Sequence, residues 1–124
     1  MSARYEIVLD SEDGFPVVRA RGELDQLALE ALESRFAEAA ALDRGVVVLS
    51  LLDSTYFDSL TVHAIMSFRG RLESNRQKLI ICVPEHGTPR RILEISGVAT
   101  RVPLFTSLAE AAAAARSISP RSDP

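Results

Sequence analysis

The run VVVLSLL, residues 46 to 52, constrains the fold of this chain more than any other segment. It is apolar almost throughout and opens with three β-branched residues, so it fits a strand that is covered on both faces. KLIICV, residues 78 to 83, has the same character and predicts a second central strand. Because helical segments separate the strands, the two runs predict an α/β protein with a mostly parallel sheet.

The N-terminal segment predicts an antiparallel hairpin. YEIVLD, residues 5 to 10, and VVRAR, residues 17 to 21, have strand character, and the turn cluster SEDGFP lies between them. RVPLF, residues 101 to 105, predicts a short strand, and its internal proline places it at a sheet edge. The predicted order is β-β-α-β-α-β-α-β-α, with a mixed sheet.

Four helices are predicted from apolar periodicity and from end signals. The first follows Asp25 as N-cap and stops at Gly45, and the third starts with Thr88 as cap and Pro89 in its first turn. The second spans about residues 59 to 73. The predicted buried faces are Leu29, Leu32, Phe36 and Ala39 in the first helix, Ile65, Phe68 and Leu72 in the second, and Ile92 and Ile95 in the third.

The C-terminal part contains a last helix and a polar tail. Ser107 and Glu110 predict a capping box at the start of this helix, and Gly97 marks the stop of the helix before it. The proline-containing segment 117–124 predicts a disordered tail. With 124 residues in all, the chain is predicted to form one domain over residues 1–116.

Composition excludes several classes of function. A net charge of −3 without a basic stripe argues against direct nucleic-acid binding. The chain lacks the apolar core of a signal peptide and a run that could span a bilayer, so we predict a cytoplasmic protein with no membrane contact. Cys82 is the one cysteine and predicts a buried, inert thiol. The scattered glycines and the isolated His63 and His86 predict no cofactor and no metal.

STYFDSLTVHA, residues 54 to 64, contains the main candidate site, a strand-to-helix turn. Asp58 or Ser59 can cap the helix by accepting from its free N–H groups. A phosphate on Ser59 would meet the positive end of the helix dipole and would add about −1.5 to −2 charges to the surface. Capping and a phosphorylation switch are compatible interpretations of this turn.

A hydrolase is a third interpretation of the same turn. His63 follows Ser59 by one helical turn, so a base could lie near the hydroxyl. Neither an orienting third group nor an oxyanion hole is recognisable in the sequence, and a Ser-His-Asp hydrolase uses both. We therefore rank this hypothesis last and predict that the protein is not an enzyme.

The chain resembles the STAS domain family and, within it, the anti-sigma factor antagonists, over about residues 5 to 115. RGELD, residues 21 to 25, resembles the G-E-L-D at the end of the family's second strand. VVVLSLLDSTYFDS, residues 46 to 59, resembles its hydrophobic strand followed by T-F-[IM]-D-S. PRRILEISGV and PLFTSLAEAAAA resemble its C-terminal part.

The resemblance implies a bacterial, cytoplasmic partner-switching protein of stress-response transcription regulation. Its partner would be an anti-sigma factor with serine kinase activity, and binding would free a sigma factor. The kinase would phosphorylate Ser59 and so break the complex, and a serine phosphatase would reverse the modification. The positions that carry over as partner-binding residues are Asp25, Asp58, Ser59, Leu60, Thr61 and His63.

The sequence departs from the family motif directly after the serine. The family often has D-S-[ST]-G, whereas Leu60 and Thr61 follow Ser59 here. Leu60 could bury apolar surface against a partner or could crowd an approaching kinase. The alternative function is therefore a STAS scaffold or ligand-sensing module that is not phosphorylated.

Overall fold

The computed structural model describes residues 4–118 as one mixed sheet with helices on both faces. The strands are β1 (Tyr5–Glu12), β2 (Phe15–Leu24), β3 (Val46–Ser50), β4 (Ser54–Phe57), β5 (Lys78–Cys82) and β6 (Leu104–Phe105). The helices are α1 (Leu29–Ala41), α2 (Ser59–Ser74), α3 (Thr88–Ile95) and α4 (Leu108–Ile118). Short 3-10 helices lie at Gln26–Ala28 and Val98–Thr100.

The sheet has the order β1-β2-β3-β5-β6, with β4 paired to the end of β2. β1 runs antiparallel to β2, and the other pairs are parallel. The predicted α/β fold, with its mostly parallel sheet, N-terminal hairpin and four helices, is confirmed. β4 was not predicted, because STYF is only four residues long and its pairing with Gly22 to Leu24 is non-local.

The two faces of the sheet bury two apolar clusters. Each of the five residues of β3 is buried, as the apolar run predicts. Val47 and Leu49 face the larger cluster, which includes buried residues of α1, α2 and α3. Val46 and Val48 face the smaller cluster, which α4 covers. The larger core positions α1 and α2 on the same face of the sheet.

A pair of stacked aromatic rings joins α1 to α2. Phe36 and Phe68 have ring centroids 4.0 Å apart and planes inclined by 12°. The guanidinium of Arg71 lies 5.7 Å from the first ring centroid and 5.3 Å from the second. Both phenylalanines were predicted on buried helix faces, and both are buried. This contact packs α2 against α1.

Two details of α3 correct the sequence predictions. Ile95 is 80% exposed, and Leu93 is the buried residue of this helix together with Pro89. At about 100° per residue, Ile95 points about 200° away from Leu93 and therefore toward solvent. The N-cap is Gly87, and Thr88 is the first helical residue without a capping role.

The ends of α1 and α4 also differ from prediction. α1 ends at Ala41, because the chain turns through Asp43 with a φ of 55° before it reaches Gly45. α4 continues through Ile118, two residues into the segment predicted as a disordered tail. The rest of that predicted tail, residues 119–124, lies outside the described residues.

The capping box of α4 is present in part. The Ser107 hydroxyl accepts from the N–H of Glu110 at 3.1 Å, as predicted. The carboxylate of Glu110 accepts from the N–H and the hydroxyl of Thr106, at 3.3 and 3.0 Å, instead of returning to Ser107. Gly97 follows α3 in the left-handed conformation, so the predicted stop at this glycine is confirmed.

Candidate functional site

The turn between β4 and α2 is capped by Asp58. Its backbone is extended, and its Oδ1 accepts from the N–H of Thr61 at 3.0 Å. Of the two possible caps that the sequence offered, the structure therefore selects Asp58. Ser59 becomes the first residue of α2, and its side chain is exposed. The arrangement leaves the Ser59 hydroxyl accessible at the positive end of a helix of 16 residues.

Thr61 ties this turn to the end of β2. Its hydroxyl lies 3.0 Å from the carbonyl oxygen of Leu24 and 3.1 Å from Oδ1 of Asp58, so its single proton is donated to one of two acceptors. The N–H of Asp58 donates to the same Leu24 carbonyl at 3.3 Å. Thr61 is only 1% exposed, and its predicted role in partner binding stays a prediction. Its position supports the turn from inside.

Asp25 lies beside this turn because β2 and β4 are paired. Leu24 is in register with Phe57, so the residues that follow them, Asp25 and Asp58, leave neighbouring strands at the same edge of the sheet. Asp25 Oδ1 accepts from the N–H of Leu27 at 2.9 Å and caps the short 3-10 helix. Two capped helical turns therefore begin side by side at this edge.

The surface of this edge combines hydroxyl, acidic and apolar groups. Ser59 and His63 are exposed, Leu60 is 47% exposed, and Asp25 and Asp58 are half-buried. Sequence reasoning missed Leu27, which is 73% exposed on the adjacent 3-10 turn. The sequence could have indicated an exposed position for Leu27, because this large apolar residue precedes the periodic apolar positions of α1 and is not one of them.

The structure does not assemble the hydrolase alternative. Within residues 4–118, no hydrogen bond joins Ser59 to His63. The same described residues contain no group of three or more His, Cys, Asp or Glu side chains that could hold a metal ion. Nor do they contain a helix with the length and apolar character that crossing a bilayer requires.

Cys82 lies in the interior, away from this turn. It is buried between the sheet and α4, and its thiol donates to the carbonyl oxygen of Ser107 at 3.5 Å. Burial raises the pKa of the thiol to about 11, and the nearby charges of Glu110 and Glu12 add to the shift. A thiol with a raised pKa is a poor nucleophile, in keeping with the predicted inert role.

The fold and the turn together define a class: a small α/β domain that presents an exposed serine at the start of a capped helix. The STAS domain family model matches residues 6–111, and the chain belongs to this family. The resemblance seen in its motifs is thereby confirmed at the level of the family. A comparison of the sequence with curated proteins finds no significant match.

Solved structures share the fold. An anti-sigma factor antagonist from Mycobacterium paratuberculosis superposes with a TM-score of 0.82 at 23% identity, covering 94% of this chain and 99% of that one. The anti-sigma factor antagonist SpoIIAA in its unphosphorylated form has a TM-score of 0.75 at 22% identity, covering 91% of this chain and 98% of that one. The phosphorylated form of SpoIIAA from Bacillus has a TM-score of 0.66 at 21% identity, covering 87% of this chain and 97% of that one. These similarities extend over nearly the whole of each chain.

Proposed function

We propose that this protein is an anti-sigma factor antagonist whose binding to an anti-sigma factor is switched by phosphorylation of Ser59. The observation that carries the proposal is the exposed Ser59 side chain at the first position of α2, directly after the capping Asp58. The structural likeness to anti-sigma factor antagonists, including SpoIIAA with and without phosphate, supports it. The proposed partner is a cytoplasmic anti-sigma factor with serine kinase activity, and a phosphatase resets the switch.

The net electrostatic cost of a phosphate on Ser59 is small within the domain, because two local effects oppose each other. The helix dipole and the N–H groups of its first turn attract an anion, by about 0.3–1 kcal/mol at an exposed site. The neighbouring Asp58 carboxylate repels it, although solvent screens that repulsion. Since Thr61 holds the turn from below through Leu24, we expect the domain to keep its fold when Ser59 is modified.

A phosphate on Ser59 should weaken the binding of a partner at this turn. The proposed docking surface consists of Asp25, Leu27, Asp58, Ser59, Leu60 and His63, which lie at one edge of the sheet. Leu27 and Leu60 supply exposed apolar area at this surface. A phosphate that is buried there without a partner charge costs several kcal/mol, and each 1.4 kcal/mol weakens binding about tenfold.

Phosphorylation by the kinase-type anti-sigma factors of the source genome tests the proposal. Each kinase is incubated with this protein and ATP, and intact mass with peptide mapping locates the phosphate. We expect one added phosphate on the wild type and none on Ser59→Ala. Ser67→Ala is the matched control, because Ser67 is exposed on the same helix, and it should be phosphorylated like the wild type. Phosphate on Ser59→Ala, or none on the wild type with any of the kinases, contradicts the switch.

The exposed Leu60 favours one alternative, a STAS scaffold that binds its partner without phosphorylation. Leu60 occupies a position where the family often has a small hydroxyl residue, and its side chain is exposed beside Ser59. In a scaffold, Leu60→Asp should weaken partner binding, whereas phosphate on Ser59 should leave it unchanged. In the proposed switch, both changes should weaken it.

A further inference from the structure

A cavity lies away from the Ser59 turn, between the C-terminal halves of α2 and α4 and the start of β5. It has a volume of about 320 Å³, within the range of small-ligand sites. Its polar lining consists of Arg69, Glu73, Lys78 and Arg101, and its apolar lining consists of Leu79, Pro103 and Ile118. Lys78 begins β5, so this cavity is at the amino-terminal edge of the parallel strands, opposite the edge that carries Ser59.

The cavity has an excess of positive charge. Among the described residues, Arg69, Lys78 and Arg101 contribute three cations to the lining, and Glu73 contributes one carboxylate. Arg69 is held in place, because its Nε donates to the carbonyl oxygen of Arg101 at 3.1 Å and lies 3.3 Å from Glu73. Within the described chain, Lys78 and the guanidinium of Arg101 form no ion pair. Two unpaired cations therefore border a pocket in which a third is fixed.

The backbone of β5 adds a polar edge to the same cavity. The N–H of Lys78 donates to Gly45 on the β3 side, and the N–H of Ile81 donates to Pro103 on the β6 side. Peptide groups alternate along a strand, so the N–H and C=O of Leu79 point to the β6 side. There, in the part of the chain that the structure describes, the ladder joins Ile81 with Leu104 and Cys82 with Phe105, and Pro103 has no N–H to donate. Within residues 4–118, the pairing of β5 with β6 therefore ends before it reaches Leu79, which lines the cavity.

We propose that this cavity binds a small amphipathic anion, with a phosphate or carboxylate head on a short apolar chain. The head would lie among Lys78, Arg101 and the fixed Arg69, which are strong donors to anionic oxygens. The apolar chain would cover Leu79, Pro103 and Ile118. The site shares no residue with the proposed docking surface, so it stands independently of the phosphorylation switch.

A titration with n-butyl phosphate, followed by amide NMR of the full chain, tests this proposal. We expect saturable shifts at Lys78, Leu79 and Arg101, and none from n-butanol. Inorganic phosphate should bind at least about fivefold more weakly, because it cannot cover the apolar lining. Absence of saturable shifts at these amides, or equal affinity for inorganic and butyl phosphate, would overturn the proposal.

Variants separate this site from general charge attraction. Lys78→Gln with Arg101→Gln should weaken butyl phosphate binding by at least about tenfold, since two charge-assisted contacts are lost. Both side chains are exposed, so we expect the double variant to fold. Arg91→Gln removes an exposed arginine on α3, outside the cavity, and should leave the affinity unchanged within about twofold. If Arg91→Gln weakened butyl phosphate binding as much as the double variant does, this result would contradict a specific site in the cavity.

Discussion

The hydroxyl of Thr61 in the first turn of α2 lies 3.0 Å from the carbonyl oxygen of Leu24, the last residue of β2. The two residues are 37 positions apart in the chain. This contact is buried and joins the helix that carries Ser59 to the strand that precedes Asp25. Together with the pairing of β2 and β4, this hydrogen bond positions the candidate site through two segments that are distant in sequence.

Thr61→Val removes this hydrogen bond and keeps the shape of the side chain. We expect the free energy of unfolding to fall by about 1 kcal/mol, because the buried Leu24 carbonyl loses one of its two donors and keeps the N–H of Asp58. Urea denaturation measures the change. Thr55→Val is the control, since Thr55 is exposed on β4, and its effect should stay within about 0.5 kcal/mol. A Thr61→Val protein as stable as the control would contradict the role assigned to this hydroxyl.

Gly22 and Gly70 should respond in opposite directions to alanine. Gly22 has a φ of +86°, and a Cβ there would lie 2.1 Å from the backbone oxygen of Arg4. We expect Gly22→Ala to cost about 3 kcal/mol or more, from backbone strain and from the displaced β1. Gly70 lies within α2, and a Cβ there would meet no neighbouring atom within 4 Å, so Gly70→Ala should stabilise by about 0.5–1 kcal/mol.

Thermal and urea unfolding of the two glycine variants measure this contrast. Gly22 is the glycine of the RGELD segment, so the result also explains why that motif contains it. A Gly22→Ala protein with wild-type stability would show that β1 can move away from this position. A destabilised Gly70→Ala protein would show that the exposed side of α2 is packed in solution.

The buried thiol of Cys82 predicts a dependence of stability on alkaline pH. The pKa of the thiol is raised from 9.0 to about 11 in the folded chain, so the folded state holds its proton more tightly than the unfolded state. The stabilisation is complete below about pH 9 and is lost as pH rises toward 11. Relative to Cys82→Ala, we expect an extra fall in unfolding free energy of at most about 1.4 kcal/mol per pH unit.

Denaturation of both proteins between pH 8 and 11 gives that difference directly. Thiol labelling provides an independent readout, because native Cys82 should react slowly at pH 8 and rapidly once the chain is unfolded. Parallel pH profiles of the wild type and Cys82→Ala, or fast labelling of the native protein, would contradict a buried thiol.

Local sequence patterns predicted the parts of the fold that local physics decides. The apolar runs of β3 and β5 could be recognised because a strand covered on both faces has no polar side. The helix after Asp58 could be recognised because its cap and its periodicity agree. Ser59 is the first residue after this cap, and the structure shows that its side chain is exposed.

Features that depend on distant segments were not predictable. β4 exists because its four residues pair with the end of β2, and a segment of four residues is too short to show a clear alternating pattern, although Thr, Tyr and Phe favour strands. Thr61 was expected to meet a partner, and its buried contact with Leu24 depends on tertiary packing. The cationic cavity combines Arg69 of α2 with Lys78 and Arg101, and no spacing in the sequence relates these three residues.

The most direct test of the central claim is the affinity of the anti-sigma factor kinase for this protein with phosphoserine installed at position 59. We predict at least about hundredfold weaker binding than to the unmodified protein, with a melting temperature changed by only about 2–3 °C. Phosphoserine installed instead at position 67 should leave the affinity within about threefold. Undiminished binding of the protein phosphorylated at Ser59 would contradict the account.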